Sequence, residues 1–208
     1  MNEMKIESNK EQLILEAAEI EFLEKGYKNA ATTAIAKRAG VTHALLHYYF
    51  RTKENLFQKV FQSKIRMVGD SFYQNLVENL PFEKTIRNFI ESHFDFVRQN
   101  PKIVNFVQNE ILNNKENRHI FFHIVRPKIV NVLDRFDKLL TEEVSKGKIK
   151  SVKASDLLIN IVAMNVTTFM VFPIVEDLIP SQNSEHLDNL INERKESNVQ
   201  FVLNALRV

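Results

Sequence analysis

The densest array of hydrogen-bonding and cationic side chains lies between residues 32 and 53, which read TTAIAKRAGVTHALLHYYFRTK and contain no carboxylate. Hydroxyls, imidazoles, a phenol and ammonium groups in one short segment can donate to phosphate oxygens and to the edges of bases. Thr32 or Thr33 can cap one helix and Thr42 another, and a free helix N-terminus also attracts phosphate. Capping alone is the equal alternative for each threonine. His43 and Ala44 follow the second cap, and His47 and Tyr48 lie one helical turn further along the same side. Tyr49 is expected to be partly core and Tyr48 exposed. Lys53 opens the next helix, where a phosphate strand would run.

The elements that must hold these groups are two short helices, expected over 33–39 and 42–49, joined by Gly40-Val41. Gly40 can take the positive φ of a sharp turn, and Ala36 is small where two helices cross closely. Ile35, Ala39, Val41, Leu46 and Phe50 can share a small core with a preceding helix. This is the logic of a helix-turn-helix, whose second helix enters the major groove of DNA.

The charge distribution agrees. The net charge is only +2, but residues 26–68 carry eight bases against the single acid Glu54. Residues 1–25 carry seven acids and three bases, and the remainder is nearly balanced. So concentrated an excess suits a polyanion partner, although a solvated basic face accounts for the charge alone equally well.

Composition narrows the other classes. The 208 residues include no cysteine, which removes disulfides, zinc–thiolate sites, iron–sulfur clusters and cysteine nucleophiles. It is compatible with a reducing cytoplasm. Four glycines and five prolines are too few for the turns of a strand-rich fold. The polar, acidic N-terminus lacks the apolar run of a signal peptide. Residues 157–175 are uncharged, approaching the length of a spanning helix. They include Asn160, Asn165, Thr167, Thr168 and Pro173 and are flanked by acids, so a helix buried on most sides is expected rather than a membrane span. His119 and His123 share a helix face, but no third ligand stands at a fixed spacing, and no metal or cofactor is expected. No nucleophile elbow, phosphate loop or paired-histidine zinc motif occurs, so no catalytic residue and no enzyme activity are expected.

Apolar periodicity is helical throughout. Helices are expected over 10–25 with Gly26 as a stop, 54–79, 84–99, 101–112, about 119–145 with Pro127 as a possible kink, 154–173 and 185–206, with a loop at 178–184. The expected fold is all-α, with about nine helices and no sheet.

The stretch from about residue 13 to 61 resembles the N-terminal DNA-binding domain of the TetR (tetracycline-repressor-like) family of transcriptional regulators. The resemblance rests on AAEIEFLEKGYKNATT (less the extra Ala31), on IAKRAGV, and above all on LLHYYFRTKENLF. His47 stands where the family usually carries tyrosine. The resemblance implies a DNA-binding domain at 8–53 and a ligand-binding and dimerisation domain at 54–208. It implies a homodimer reading successive major grooves of a palindromic operator in double-stranded DNA. It further implies a small-molecule effector that releases the DNA, and a four-helix dimer bundle made by 154–173 and 185–206. A helical interaction protein that kept the motif without binding DNA is the alternative.

Twelve of the 16 phenylalanines follow residue 68, and few charges fall on the inward stripes. A mainly apolar effector is therefore expected, in a cavity lined by Phe89, His93, Phe106, Phe121 and Phe169, with His93 fixing one polar group. A satisfied core histidine is the plainer account of His93.

Overall fold

The computed structural model describes residues 2–73, 80–178 and 184–208, with side chains over 9–72, 80–178 and 186–208. Within them are nine α-helices: α1 (Asn2–Asn29), α2 (Thr32–Arg38), α3 (His43–Phe50), α4 (Lys53–Tyr73), α5 (Phe82–Gln99), α6 (Pro101–Val107), α7 (Lys115–Ser145), α8 (Ala154–Leu178) and α9 (Ser184–Leu206). A π-helical turn, Gln108–Leu112, follows α6. No strand occurs among the described residues; the nearest approach is one isolated antiparallel bridge between Ile149 and Arg207. The expected all-α class holds.

Tertiary contacts group the chain into two compact units. The first comprises Met1–Met67 and Asn105–Ile124, the second Val68–Val104 and Val125–Val208. The chain thus passes between units after Met67, Val104 and Ile124.

In the first unit, α1, α2 and α3 pack on one another. Their shared core is Ile14, Ala18, Phe22, Ile35, Ala36, Leu46 and Phe50, all buried. Ala39 and Val41 are half-buried at its edge. Beside it, Phe57 and Phe61 of α4 stack with Phe22, Tyr27 and Phe106 in an aromatic cluster. Gly26 does not end α1 outright. It has φ 70 and ψ 169, a conformation essentially reserved for glycine, and one further helical turn follows it.

In the second unit, α5 buries Ile86, Phe89, Ile90, His93, Phe94 and Val97 along one stripe, at the i, i+3, i+4 spacing that aligns side chains on a helix. It packs against α8 and α9. Ion pairs border that packing: Arg87 forks onto both carboxylate oxygens of Glu196 at 2.6 and 3.0 Å, and Lys195 reaches Asp95 at 2.9 Å. His93, Asn165 and Asn198 are polar residues buried together in this core. The Asn165 amide nitrogen donates to the Ile90 carbonyl at 2.9 Å and lies 3.2 Å from His93 Nδ1, while its oxygen accepts from Asn198 at 2.9 Å.

Several boundaries differ from expectation. Helix α4 is described to Tyr73, and the expected 74–79 extension lies outside the described residues, as does most of the 178–184 loop. Helix α8 continues through Pro173 to Leu178. A proline deprives a helix of one N–H donor, and here the apolar run outlasts that loss. Nor is α8 buried on most sides. It is long and apolar enough to cross a membrane by length and composition, yet only 22% of its most apolar window is covered by the rest of the chain. One face packs on α5 and α9; Ile159, Met170, Val171 and Ile174 remain exposed.

Candidate nucleic-acid interface

Helix α3 presents two distinct sides. Leu46 and Phe50 are buried, and Leu45 and Tyr49 are half-buried. Thr42, His43, Ala44, His47 and Tyr48 are exposed, with Tyr48 at 73%. The outward positions 43, 44, 47 and 48 follow the spacing of one helix face. Tyr48 is exposed and Tyr49 partly buried, as expected from the sequence.

The N-terminus of α3 is capped as its sequence suggests: Thr42 Oγ1 accepts from the Leu45 backbone N–H at 3.2 Å. That leaves other amides of the first turn without an intrahelical partner and directed outward. The cap expected from Thr32 or Thr33 on α2 is not formed. The N-cap is Ala31, in extended conformation and without a side-chain bond, and Thr32 is already helical. The Thr32 hydroxyl instead meets His43 Nε2 at 3.0 Å, tying the start of α2 to the start of α3. Thr33 is exposed beside it. Gly40 takes φ +66, with nothing within 4 Å of where a Cβ would stand, so the turn needs the glycine for its backbone and not for space.

The two histidines of α3 meet edge to face, 4.4 Å between ring centres. His47 Nδ1 lies 2.9 Å from the Arg51 carbonyl. A carbonyl only accepts, so Nδ1 carries the proton and Nε2 of the neutral ring is an acceptor. Such a nitrogen can take a hydrogen bond from the amino group of adenine or cytosine in the major groove.

Lys53, at the start of α4, is docked. Its ammonium stands 4.7 Å from the centroid of the Tyr27 ring and donates to the Lys28 carbonyl at 3.3 Å. The Tyr27 phenol is held above its ordinary pKa, first by a hydrogen bond to Glu54, then by burial and by the negative charges of Glu54 and Glu110. Buried Glu21 pairs with Lys25 at 2.6 Å and lies 3.8 Å from Arg38, linking α1 to α2. Tyr27, Glu21 and Glu110 were not singled out by the sequence reading. Tyr27 follows a glycine stop within the motif, which is a local signal. Glu110 has none, because its partner is far away in the chain.

The five residues expected to line a ligand cavity are divided. Phe106 and Phe121 belong to the first unit; Phe89, His93 and Phe169 belong to the second. Phe106 packs on Phe57 and Phe61, and Phe121 against Phe122. Phe89 is fully buried on Phe136, His93 stacks on Phe72, and Phe169 lies on Phe94. Burial holds the His93 imidazole down to about 4. Separately, an apolar groove of about 550 Å³ runs between α8 and α9, lined by Met164, Thr168, Val171, Phe172 and Leu190 among others, with Arg194 at its rim.

Residues 14–60 match the sequence model described as "Bacterial regulatory proteins, tetR family". The fatty acid metabolism regulator protein of Bacillus subtilis (strain 168) is 26% identical over 186 residues, covering 87% of this chain and 94% of that protein. With three other curated relatives, a transcriptional regulator, a nucleoid occlusion factor and a transcriptional activator, the match is shorter, covering 46%, 62% and 43% of their lengths. Among solved structures, the transcriptional regulator FadR from Bacillus subtilis in complex with stearoyl-CoA aligns with a TM-score of 0.62 at 23% identity, over 90% of this chain and 97% of its own. A TetR-like transcriptional regulator from Rhodococcus sp. RHA1 aligns with a TM-score of 0.63 at 16% identity, over 93% of each chain. These structural likenesses establish a shared fold, and the relatives are regulators rather than enzymes. With its helix-turn-helix geometry and this match, the segment 14–60 belongs to the tetR family of bacterial regulatory proteins, and the chain as a whole shares the fold of the solved regulators.

Proposed function

We propose that the protein is a cytoplasmic repressor that binds a palindromic operator as a homodimer and is released by a molecule carrying a long acyl chain. The observation that carries the DNA-binding reading is the outward face of α3, capped at Thr42 and free of carboxylates, with docked Lys53 beside it. In this reading 8–53 is the DNA-binding domain, and 54–208 holds the effector and the dimer contacts. Thr33, Thr42 and Lys53 meet phosphates. His43, Ala44, His47 and Tyr48 face the groove, and Thr32 orients His43. The acyl effector is supported by the similarity to the fatty acid metabolism regulator and to a structure holding stearoyl-CoA.

Duplexes selected from random sequence, titrated by fluorescence anisotropy with and without stearoyl-CoA, test this directly. Lys53→Ala is expected to weaken binding to every duplex and to reduce the salt slope by about one phosphate contact. His43→Ala is expected to change base preference, at a cost of about 1–3 kcal/mol at one position of each half-site. Equal binding by both variants and the parent refutes the interface, and an unchanged titration with stearoyl-CoA refutes the effector class.

The dimer reading rests on the apolar surface of α8 and α9 left uncovered by the chain, including Ile159, Ile174 and Phe201. Thr168 is a poor place to test it. That residue is buried within the chain and its hydroxyl bonds the Met164 carbonyl, so a charge there would strike the fold itself. Phe201, 68% exposed, is the better probe. Phe201→Asp is expected to shift sedimentation from dimer toward monomer at micromolar concentration, because the carboxylate would be buried unpaired. A parent protein that sediments as a monomer defeats the proposal.

A further inference from the structure

We propose that Glu110, on the π-helical turn, is a positioning residue for DNA contact, fixing through Tyr27 the platform on which the Lys53 ammonium rests. The inference builds on the proposed DNA-binding role of Lys53.

It starts from the break in α1. Gly26, at φ 70 and ψ 169, swings the chain out of the helical path before the turn that ends at Asn29. The Tyr27 N–H therefore opens a new turn and has no helical carbonyl to meet. Its partner is Glu110 Oε1 at 2.9 Å, 83 residues away in sequence. A Cβ at position 26 would stand 3.3 Å from the same oxygen, a tight contact that the glycine avoids. Glu110 is itself buried, at 8% exposure. It projects from the π-helical turn, a geometry that adds a residue to a helical turn and is frequent at functional sites.

What this contact anchors is the backbone from which the Tyr27 ring extends, while the phenol at the far end bonds Glu54. The ring centre lies 4.8 Å from that of Phe57 and 6.4 Å from that of Phe22, and the Lys53 ammonium stands 4.7 Å from it. The Lys28 carbonyl, one residue beyond Tyr27, accepts from the same ammonium. Both anchors of Lys53 therefore belong to the turn whose first N–H Glu110 holds. A lysine is a point charge on a flexible stem. Holding its ammonium in place before binding removes ordering cost that would otherwise be paid on association.

Carboxylate length and carboxylate charge can be separated by two conservative variants. Glu110→Gln keeps an oxygen within reach of the Tyr27 N–H and removes the charge. Glu110→Asp keeps the charge and withdraws it by one methylene. Binding of a random-sequence duplex is measured against salt by anisotropy for the parent, both variants, Lys53→Ala and the Glu110→Asp/Lys53→Ala double variant, with circular dichroism confirming each fold. The expected result is that Glu110→Asp weakens binding about threefold to tenfold and lowers the salt slope toward that of Lys53→Ala, a loss of about one contact. Glu110→Gln stays within about twofold of the parent, and Glu110→Asp has little further effect once Lys53 is gone. A parental slope for Glu110→Asp, or the same fold-loss with and without Lys53, overturns the proposal while leaving the DNA-binding role of Lys53 intact. A loss in Glu110→Gln with none in Glu110→Asp assigns Glu110 a purely electrostatic role and also overturns it. If Lys53→Ala keeps the parental slope, the Lys53 assignment itself fails and the inference falls with it.

Discussion

Acidification from pH 7 to pH 4 should lower the unfolding free energy by about 3 kcal/mol through His93 alone. The imidazole is buried, and desolvation holds its pKa down to about 4. A second reason is geometric. The Asn165 amide nitrogen has one hydrogen on the Ile90 carbonyl and its other directed at His93 Nδ1, so a proton added to Nδ1 would oppose an N–H. The unfolded chain takes up the proton near 6.5 and the folded chain only near 4. The stabilisation is therefore complete above about pH 6.5, is lost as pH falls between those two values, and changes no further below the lower one. Urea titrations of the parent and of His93→Gln, run at intervals from pH 7 to pH 4, isolate the effect from the carboxylates that titrate in the same range. Parallel pH profiles for the two proteins would show that His93 is not held neutral in the core.

Phe57→Ala should cost about 3–5 kcal/mol, the range for emptying a buried phenylalanine site. Phe57 is 2% exposed. Its ring meets Phe22 edge-on at 5.2 Å, Tyr27 at 4.8 Å, Phe61 at 5.7 Å and Phe106 at 6.4 Å. The truncation removes all four contacts and leaves a cavity that rigid aromatic neighbours fill poorly. Phe57→Leu should recover much of the loss, because it restores volume without the ring geometry. Denaturant melts give both numbers; a Phe57→Ala penalty below about 1 kcal/mol would mean that the cluster collapses into the space.

The helix-turn-helix was largely legible in the sequence because its determinants are local. Gly40, Ala36 and Leu46 lie close together in sequence, and positive φ, close crossing and burial follow from residue type. Thr42 capped as expected since its own side chain reaches its own helix. Thr32 did not, because Ala31 adopts the extended cap conformation and His43 competes for the hydroxyl. The packing of the phenylalanines was less legible. Phenylalanines at helical spacing announce burial but not which unit receives them, and Phe106 and Phe121 lie in the first while Phe89, His93 and Phe169 lie in the second. The pairing of Glu110 with Tyr27 spans 83 residues, and no period or motif encodes a contact at that range. Asn165 reads as a polar interruption of an apolar helix, and only the geometry shows that it bonds Asn198 and faces His93.

The discontinuity of the first unit has a consequence for biosynthesis. Its core joins Phe57 and Phe61 to Phe106, and its chain is complete only at Ile124, after the excursion through Val68–Val104 into the second unit. On a ribosome adding about 5–20 residues per second, the helix-turn-helix emerges roughly 2–10 s before the ring that closes its aromatic cluster and the carboxylate that holds Tyr27. During that interval Phe57 and Phe61 present unpaired aromatic surface, the kind that holdase chaperones bind. A nascent chain therefore carries α3 well before it carries Phe106 and Glu110, and the two stretches of the first unit mature at separate times.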